Sequence, residues 1–303
     1  LLFNNYHLKV IHSFPERDSK NKRVFESAKM SVAIITIGSL RRDNDKLTLS
    51  VWKDRNKKDG TTIQISCKEL KGFDRFSRIP LFDDDSISLY KKIKNSDSSI
   101  PLSKICGEIL QGEVNVTFHK SLYSKEKENK SFKKLYPGAS IQKYFINENP
   151  SQGSVMFLDE AKFKEISKKS HYAKKERIAM QGITGTMDYR LVTCIIPPNV
   201  YLKHSANFLV SNNVRFANID ICCYLNTKLC NWMFRMFSTN SNVNNYELFD
   251  LPLIPFTDHE KTIVKNAYVE LSKFTADTYK SDLFKNHEAK LDSLIYSKYN
   301  LSE

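Results

Sequence analysis

Residues 181–190 read "QGITGTMDYR", and they follow a block of lysines. Base edges in the DNA major groove are read by matched side chains: Arg for guanine, Asn or Gln for adenine, Asp or Glu for cytosine, and Thr against the thymine methyl. Arg177, Gln181, Thr184, Thr186, Asp188 and Arg190 supply that set in one stretch. Gly182 and Gly185 would let the backbone come close to a ligand. Just upstream, Lys168, Lys169, Lys174 and Lys175 could neutralise phosphates, which position a duplex without reading it. Lys120 and Lys143 bound the other basic segment and are expected to do the same.

A second polar loop, "STNSNVNNYEL" at 238–248, carries Asn240, Asn242, Asn244 and Asn245. Asparagines make turns as readily as contacts. If the side chains of the first loop prove structural, this loop becomes the better base reader. A third candidate is "GEVNVTFHK" at 112–120, which alternates like a strand and would put Asn115, Thr117, His119 and Lys120 on one face.

Other chemistries find less support. No dinucleotide, P-loop, zinc-protease or nucleophile-elbow motif is present. The seven histidines are scattered, without metal-ligand spacing. Asp59 with Glu69 and Lys71 has the order of a metal-dependent nuclease site, which needs both carboxylates on one Mg²⁺. That is the rival enzyme reading. A general nucleic-acid-binding module is another, but an RNA reader would interleave aromatics with polar groups on a sheet face, and here the aromatics follow apolar stripes.

The whole chain agrees with a polyanion partner. It has 303 residues, 41% of them hydrophobic, and a formal charge of +13. The excess is concentrated. Residues 120–143 hold seven basic and two acidic residues, and residues 162–190 hold eight and three, whereas 258–303 hold seven and eight. The six cysteines form no C-x-x-C pair and read as core residues of a reducing compartment. No apolar run reaches the roughly 20 residues that span a bilayer. No signal peptide is legible at "LLFNNYHLKV", which suggests a cytoplasmic protein cut from something longer.

The elements that must position these groups follow from periodicity. "MSVAIITIG" (30–38) predicts a buried strand, "KLTLSVWKD" (46–54) a half-buried one and "TTIQIS" (61–66) a third. Residues 69–100 read as a connector with one short helix near Ser86–Lys94. Beyond 101 come short strands at 153–159, 190–198 and 206–211. Ile221, Tyr224, Leu225, Trp232, Met233, Met236 and Phe237 predict one helix capped by Asp220. "TDHE" at 257–260 is a capping box opening the first of two terminal helices.

The segments "PGASIQKYFI" (137–146), "ERIAMQGITG…RLVTCIIPPN" (176–199), "CYLNTKLCNWMFRMFS" (223–238) and "YELFDLPLIPF" (246–256) carry, in order, G-x-x-I-x-x-Y, a Q-x-I-T strand entry, L-N-T-K-L on a helix, and L-P-x-x-P. That order resembles the TaqI-like C-terminal specificity domain of type II adenine-specific DNA methyltransferases and fused type IIG restriction–modification enzymes. "FPERDSKNKRVFESAKMSVAIITIG" (14–38) is similar to the end of the preceding methyltransferase domain, and "AKLDSLIYSKYNLSE" (289–303) to the family's ending. The resemblance implies a mixed α/β (α+β) chain with four parts. These are a β-rich methyltransferase-domain edge (1–68), a connector (69–100), a target-recognition domain (101–257) and C-terminal helices (258–303). It implies sequence-specific recognition of double-stranded DNA for an N6-adenine methyltransferase. The family's N/D-P-P-Y/F motif and glycine-rich S-adenosylmethionine loop are absent, and "IPPNV" (196–200) does not substitute. Catalysis and the cofactor would therefore belong to an N-terminal methyltransferase portion preceding Leu1, and none is expected here.

Overall fold

The computed structural model describes residues 5–14, 19–28, 30–40, 42, 44–66, 68–70, 79, 84–185, 187–238 and 241–301. They fall into two units. The first draws on residues 1–97 with 185–188 and 233–241, and the second on 98–184, 189–232 and 242–303.

In the first unit, strands β1 (Tyr6–Phe14), β2 (Val32–Leu40), β3 (Lys46–Trp52) and β4 (Gly60–Ser66) form one sheet in the order β2-β1-β3-β4. β1 runs antiparallel to β2 and parallel to β3, and β4 closes antiparallel on β3. The period-2 pattern sets which face is buried: Leu47, Leu49, Ile63 and Ile65 point into the core. Helix α1 (Asp84–Lys94) adds Ile87, Tyr90 and Ile93. The β2 segment is a strand, but it is not buried as its apolar run suggested. It lies at the sheet edge, and Ile34, Ile35, Ile37 and Leu40 are 49%, 43%, 43% and 77% exposed. A continuous apolar run reads alike in a central strand and in an edge whose cover lies elsewhere.

The second unit opens with β5 (Ile100–Pro101), α2 (Leu102–Ile105), β6 (Cys106–Gln111), β7 (Tyr123–Ser124), β8 (Phe132–Tyr136), β9 (Met156–Asp159) and α3 (Glu160–Ile166). It continues with β10 (Arg177–Gln181), β11 (Thr193–Ile196), β12 (Tyr201–Leu202) and β13 (Ala206–Ser211). Two four-stranded sheets result, ordered β11-β10-β13-β6 and β12-β8-β9-β7. Ala179, Cys194, Ile196 and Phe208 fill one core cluster, and Leu135, Leu158, Phe163 and Tyr201 another. The fold is mixed α/β.

The "GEVNVTFHK" segment is not the expected strand. Asn115 Oδ1 accepts the N–H groups of Thr117 and Phe118 at 2.9 and 3.3 Å, and His119 N–H donates to Asn115 O at 2.9 Å. The local side chain captures the backbone donors that a strand would have offered its neighbour.

The expected helix from Asp220 to Phe237 is two, α4 (Asn218–Leu225) and α5 (Lys228–Arg235). Asn226 breaks them apart by exchanging both amide bonds with Thr193, at 2.8 and 2.9 Å. Asp220 is not the cap itself; from the first turn it accepts Ala217 N–H at 2.8 Å. After α6 (Asn245–Leu248) and β14 (Pro252–Leu253), α7 (Asp258–Leu271) starts at the anticipated capping box. Thr257 and Glu260 exchange bonds of 2.7 and 3.3 Å there. α8 (Asp282–Lys298) packs on α7 within this same unit.

The described cysteines are buried and unpaired, and burial alone raises the Cys106 thiol to about 12. Among the described residues no helix is long and apolar enough to cross a membrane, and no group of three metal-ligating side chains gathers.

Candidate nucleic-acid interface

The loop after β10 was expected to read bases with its long polar side chains. Most of them are turned inward. Arg177 has no side-chain exposure; its guanidinium pairs with Glu113, donates to Val200 O and lies 4.8 Å from the Phe208 ring centre. Burial lowers its pKa to about 10. Glu113 is itself buried, and its other oxygen accepts Leu202 N–H at 3.0 Å. Gln181 donates to Ile141 O at 2.6 Å. Arg190 Nε donates to Thr184 Oγ1 at 2.8 Å, and both residues are buried. Arg177, Gln181, Thr184 and Arg190 are thus turned into the protein, where their polar groups brace neighbouring segments instead of facing solvent.

Gly182 also serves the fold rather than a ligand. A Cβ there would meet Ser205 O at 2.8 Å, so the glycine admits the protein's own backbone. Gly112 and Gly138 do the same, with contacts of 2.2 Å to Lys203 O and Ser205 O. None of these three offers an open cradle to S-adenosylmethionine. Gly185 has a left-handed φ of 58° with open space around it. Asp188 is exposed in the first unit, its carbonyl accepting from Arg235 at 3.3 Å. Thr186 and Asn240 lie outside the described residues.

The buried polar groups hold two loops together. Arg190 reaches Asn242 O at 3.2 Å, Val243 N–H donates to Gly182 O at 2.9 Å, and Asn207 Nδ2 donates to Val243 O at 2.8 Å. Ile183 and Asn242 form a β-bridge. The Gly-Thr loop and the Asn-rich loop thus become two walls of one cleft of about 350 Å³. Ile183 stands on one wall and Asn242, Asn244 and Asn245 on the other. Gln111, His204 and Asn207 form the remainder.

Several polar atoms here are uncommitted. Gln111 spends its Nε2 on His204 O at 2.7 Å, which leaves its carbonyl oxygen as an acceptor. His204 Nδ1 accepts Val116 N–H at 3.5 Å, so the neutral ring carries its proton on Nε2 as a donor. Asn245 anchors through Nδ2 to Ile109 O at 2.9 Å, and its buried Oδ1 has no hydrogen-bond partner. Asn242 is exposed. Asn244 is partly committed, since its amide donates to Glu247 at 3.1 Å in the cap of α6. Mixed donors and acceptors on rigid mounts suit a patterned polar edge. Sequence reasoning missed Gln111 and His204, which carry no motif and reach the cleft only through strand pairing.

The basic side chains divide in the same way. Lys168, Lys169, Lys174 and Lys175 are exposed in and just after the 3₁₀ turn Lys168–Lys174, which Ser167 caps by accepting Lys169 N–H at 3.3 Å. Lys120 is exposed next to His119, whose pKa is lowered by burial and then by the charge of Lys169. Lys143 differs: it is half-buried, pairs with Glu288 on α8, and its Nζ lies 3.7 Å from the Tyr189 ring centre. In that arrangement its ammonium is held against the protein.

The nuclease geometry is not assembled. Asp59 precedes β4 and Glu69 follows it, so a strand of seven residues, ~20 Å long at ~3.3 Å per residue, runs between them. Asp59 pairs with Lys53 at 2.7 Å. Glu69 caps a turn with Ser66 and pairs with Lys91 at 3.0 Å, and these bonds lower its pKa to about 2. Lys71 lies outside the described residues.

No family model matches the chain, and no curated protein is significantly similar to it in sequence. Solved structures are similar to it in fold. The type IIL restriction–modification enzyme MmeI, solved in complex with DNA, superposes on 99% of this chain with a TM-score of 0.57 at 11% identity. In fold, the chain is similar to a restriction–modification enzyme. It spans 44% of the length of that enzyme. A nuclease-deletion mutant of the type ISP restriction–modification enzyme LlaGI, solved with a DNA substrate mimic, matches 90% of this chain and 28% of its own at 11% identity. Its TM-score is 0.43.

Proposed function

We propose that this chain is the DNA-reading portion of a restriction–modification methyltransferase. The observation that carries the reading is the cleft: two polar loops distant in sequence are braced into one site, in the same unit as a ledge of exposed lysines. The fold's similarity to MmeI supports it, because that enzyme was solved on DNA. Gln111, His204 and Asn242 would meet base edges. Lys120, Lys168, Lys169, Lys174 and Lys175 would meet phosphates. The adenine-N6 chemistry rests on the sequence resemblance, which places the catalytic motif and S-adenosylmethionine on a methyltransferase portion of the same polypeptide. The exposed isoleucines of β2 suit burial against such a portion, and the work would be cytoplasmic, where the DNA is.

Titration of duplex DNA at a series of salt concentrations tests the reading. If about six phosphates are neutralised, log K should fall with log salt at a slope of about −5, and Lys174→Ala should reduce that slope by about 1 for all sequences alike. A flat response would overturn it.

Selection from randomised duplexes tests the cleft separately. Asn242→Ala and His204→Ala should each relax the preference at one base position, losing about 1–3 kcal/mol of discrimination. The melting temperature of Asn242→Ala should stay near wild type, because that side chain is exposed, whereas His204→Ala also removes the acceptor of Val116 N–H and should lower it slightly. Unchanged selected sites in both variants would remove the cleft from base reading.

A further inference from the structure

The loop after β6 holds a side chain that neither the cleft nor the lysine ledge uses. Phe118 is 83% exposed. A single exposed apolar residue is ordinary. The loop that presents this one is not slack. Asn115 Oδ1 holds the N–H groups of Thr117 and Phe118, and Asn115 N–H in turn donates to His119 Nδ1 at 3.1 Å. Tyr123 OH donates to Val116 O at 2.9 Å, and Val116 N–H meets His204 Nδ1. The backbone on both sides of the ring is therefore tied down before any ligand arrives, which lowers the ordering cost of using it.

Its surroundings indicate the ligand. Two residues before Phe118, the loop touches His204, which lines the polar cleft. Two residues after it stands the exposed Lys120, and Lys169 lies close enough to act on His119. The ring is thus set between groups suited to base edges and groups suited to phosphates. Beside a duplex a phenyl ring can pack on a thymine methyl or enter at a base step, and a ring standing this far clear of the protein surface is placed for the second.

Resting on the DNA-reading function above, we propose that Phe118 stacks on a base of the bound duplex, wedging open one step at the edge of the recognised site. Stacking on an aromatic side chain accounts for ~1–3 kcal/mol per base, or ~5- to 150-fold in affinity.

The test uses the intact chain and a duplex recovered by selection, with 2-aminopurine moved through it one position at a time. Wild type should raise the fluorescence several-fold at one step, as the base there loses its neighbour. Phe118→Ala should abolish that signal and weaken binding ~5- to 150-fold, with the slope against log salt unchanged. Phe118→Tyr should restore both. Melting temperatures of both variants should match wild type, which separates loss of stacking from loss of fold. If wild type binds but Phe118→Ala binds equally well, or the probe is silent at every position, the wedge is wrong and the DNA reading stands. If wild type binds no duplex, both fall together.

Discussion

Arg177→Met should destabilise the chain by about 3–5 kcal/mol and leave the selected DNA site unchanged. The reason is Glu113. Both members of the pair have no side-chain exposure, so removing the guanidinium leaves a buried carboxylate without its counter-charge and Val200 O without its donor. For a unit of this size the loss corresponds to a drop of about 10 °C in melting temperature. A second variant separates loss of charge pairing from loss of packing. Arg177→Met with Glu113→Gln removes the stranded charge while keeping an acceptor for Leu202 N–H, and should recover more than half of the deficit. Chemical denaturation of the three variants measures this. A melting temperature unmoved by Arg177→Met, with altered base preference, would return Arg177 to the base-reading role that its sequence context suggested.

That contrast shows where the sequence could be read and where it could not. β3 and β4 were legible because their alternation is local, and β13 because it is a short apolar run buried on both faces. The Thr257–Glu260 capping box was legible because both partners sit three residues apart. β1 was missed, since "YHLKVIHSF" mixes polar and apolar residues on a strand paired on both sides.

The burial of four members of the base-reading set was not legible for a different reason. Arg177 finds Glu113 64 residues away, Gln181 finds Ile141 O 40 away, and Arg190 finds Asn242 O 52 away. A side chain's chemistry is local, but whether it is already spent is tertiary. The same inventory of Arg, Gln and Thr therefore describes an exposed reader and an internal brace equally well. The Asn-rich loop was recognisable from composition, and all three asparagines of its wall of the cleft were named. Gln111 and His204 were invisible until β6 and the segment before β13 were placed side by side.

Lys143→Met should be nearly as damaging, again about 3–5 kcal/mol at neutral pH, and its deficit should shrink as the solution is acidified. Lys143 joins the loop after β8 to α8. Its ammonium pairs with Glu288 and faces the Tyr189 ring, while Asp292, one turn further along the helix, accepts Lys228 N–H at 2.8 Å. Burial lowers the pKa of Lys143 and raises those of Glu288 and Asp292. Removing the lysine strands Glu288 and pushes its carboxyl higher still. A carboxyl whose folded-state pKa lies above the ordinary 4.5 stabilises the fold fully below that value, and the contribution is lost as pH rises through the folded-state pKa. The variant should therefore approach wild type below about pH 4.5 and fall furthest behind it near neutrality. Urea melts of both proteins at pH 7 and pH 4.5 measure the difference. A lysine at a phosphate would behave in the opposite way, with stability untouched at either pH and the salt slope of DNA binding reduced by about 1. The two readings of Lys143 thus separate on independent measurements, and burial against Glu288 favours the first.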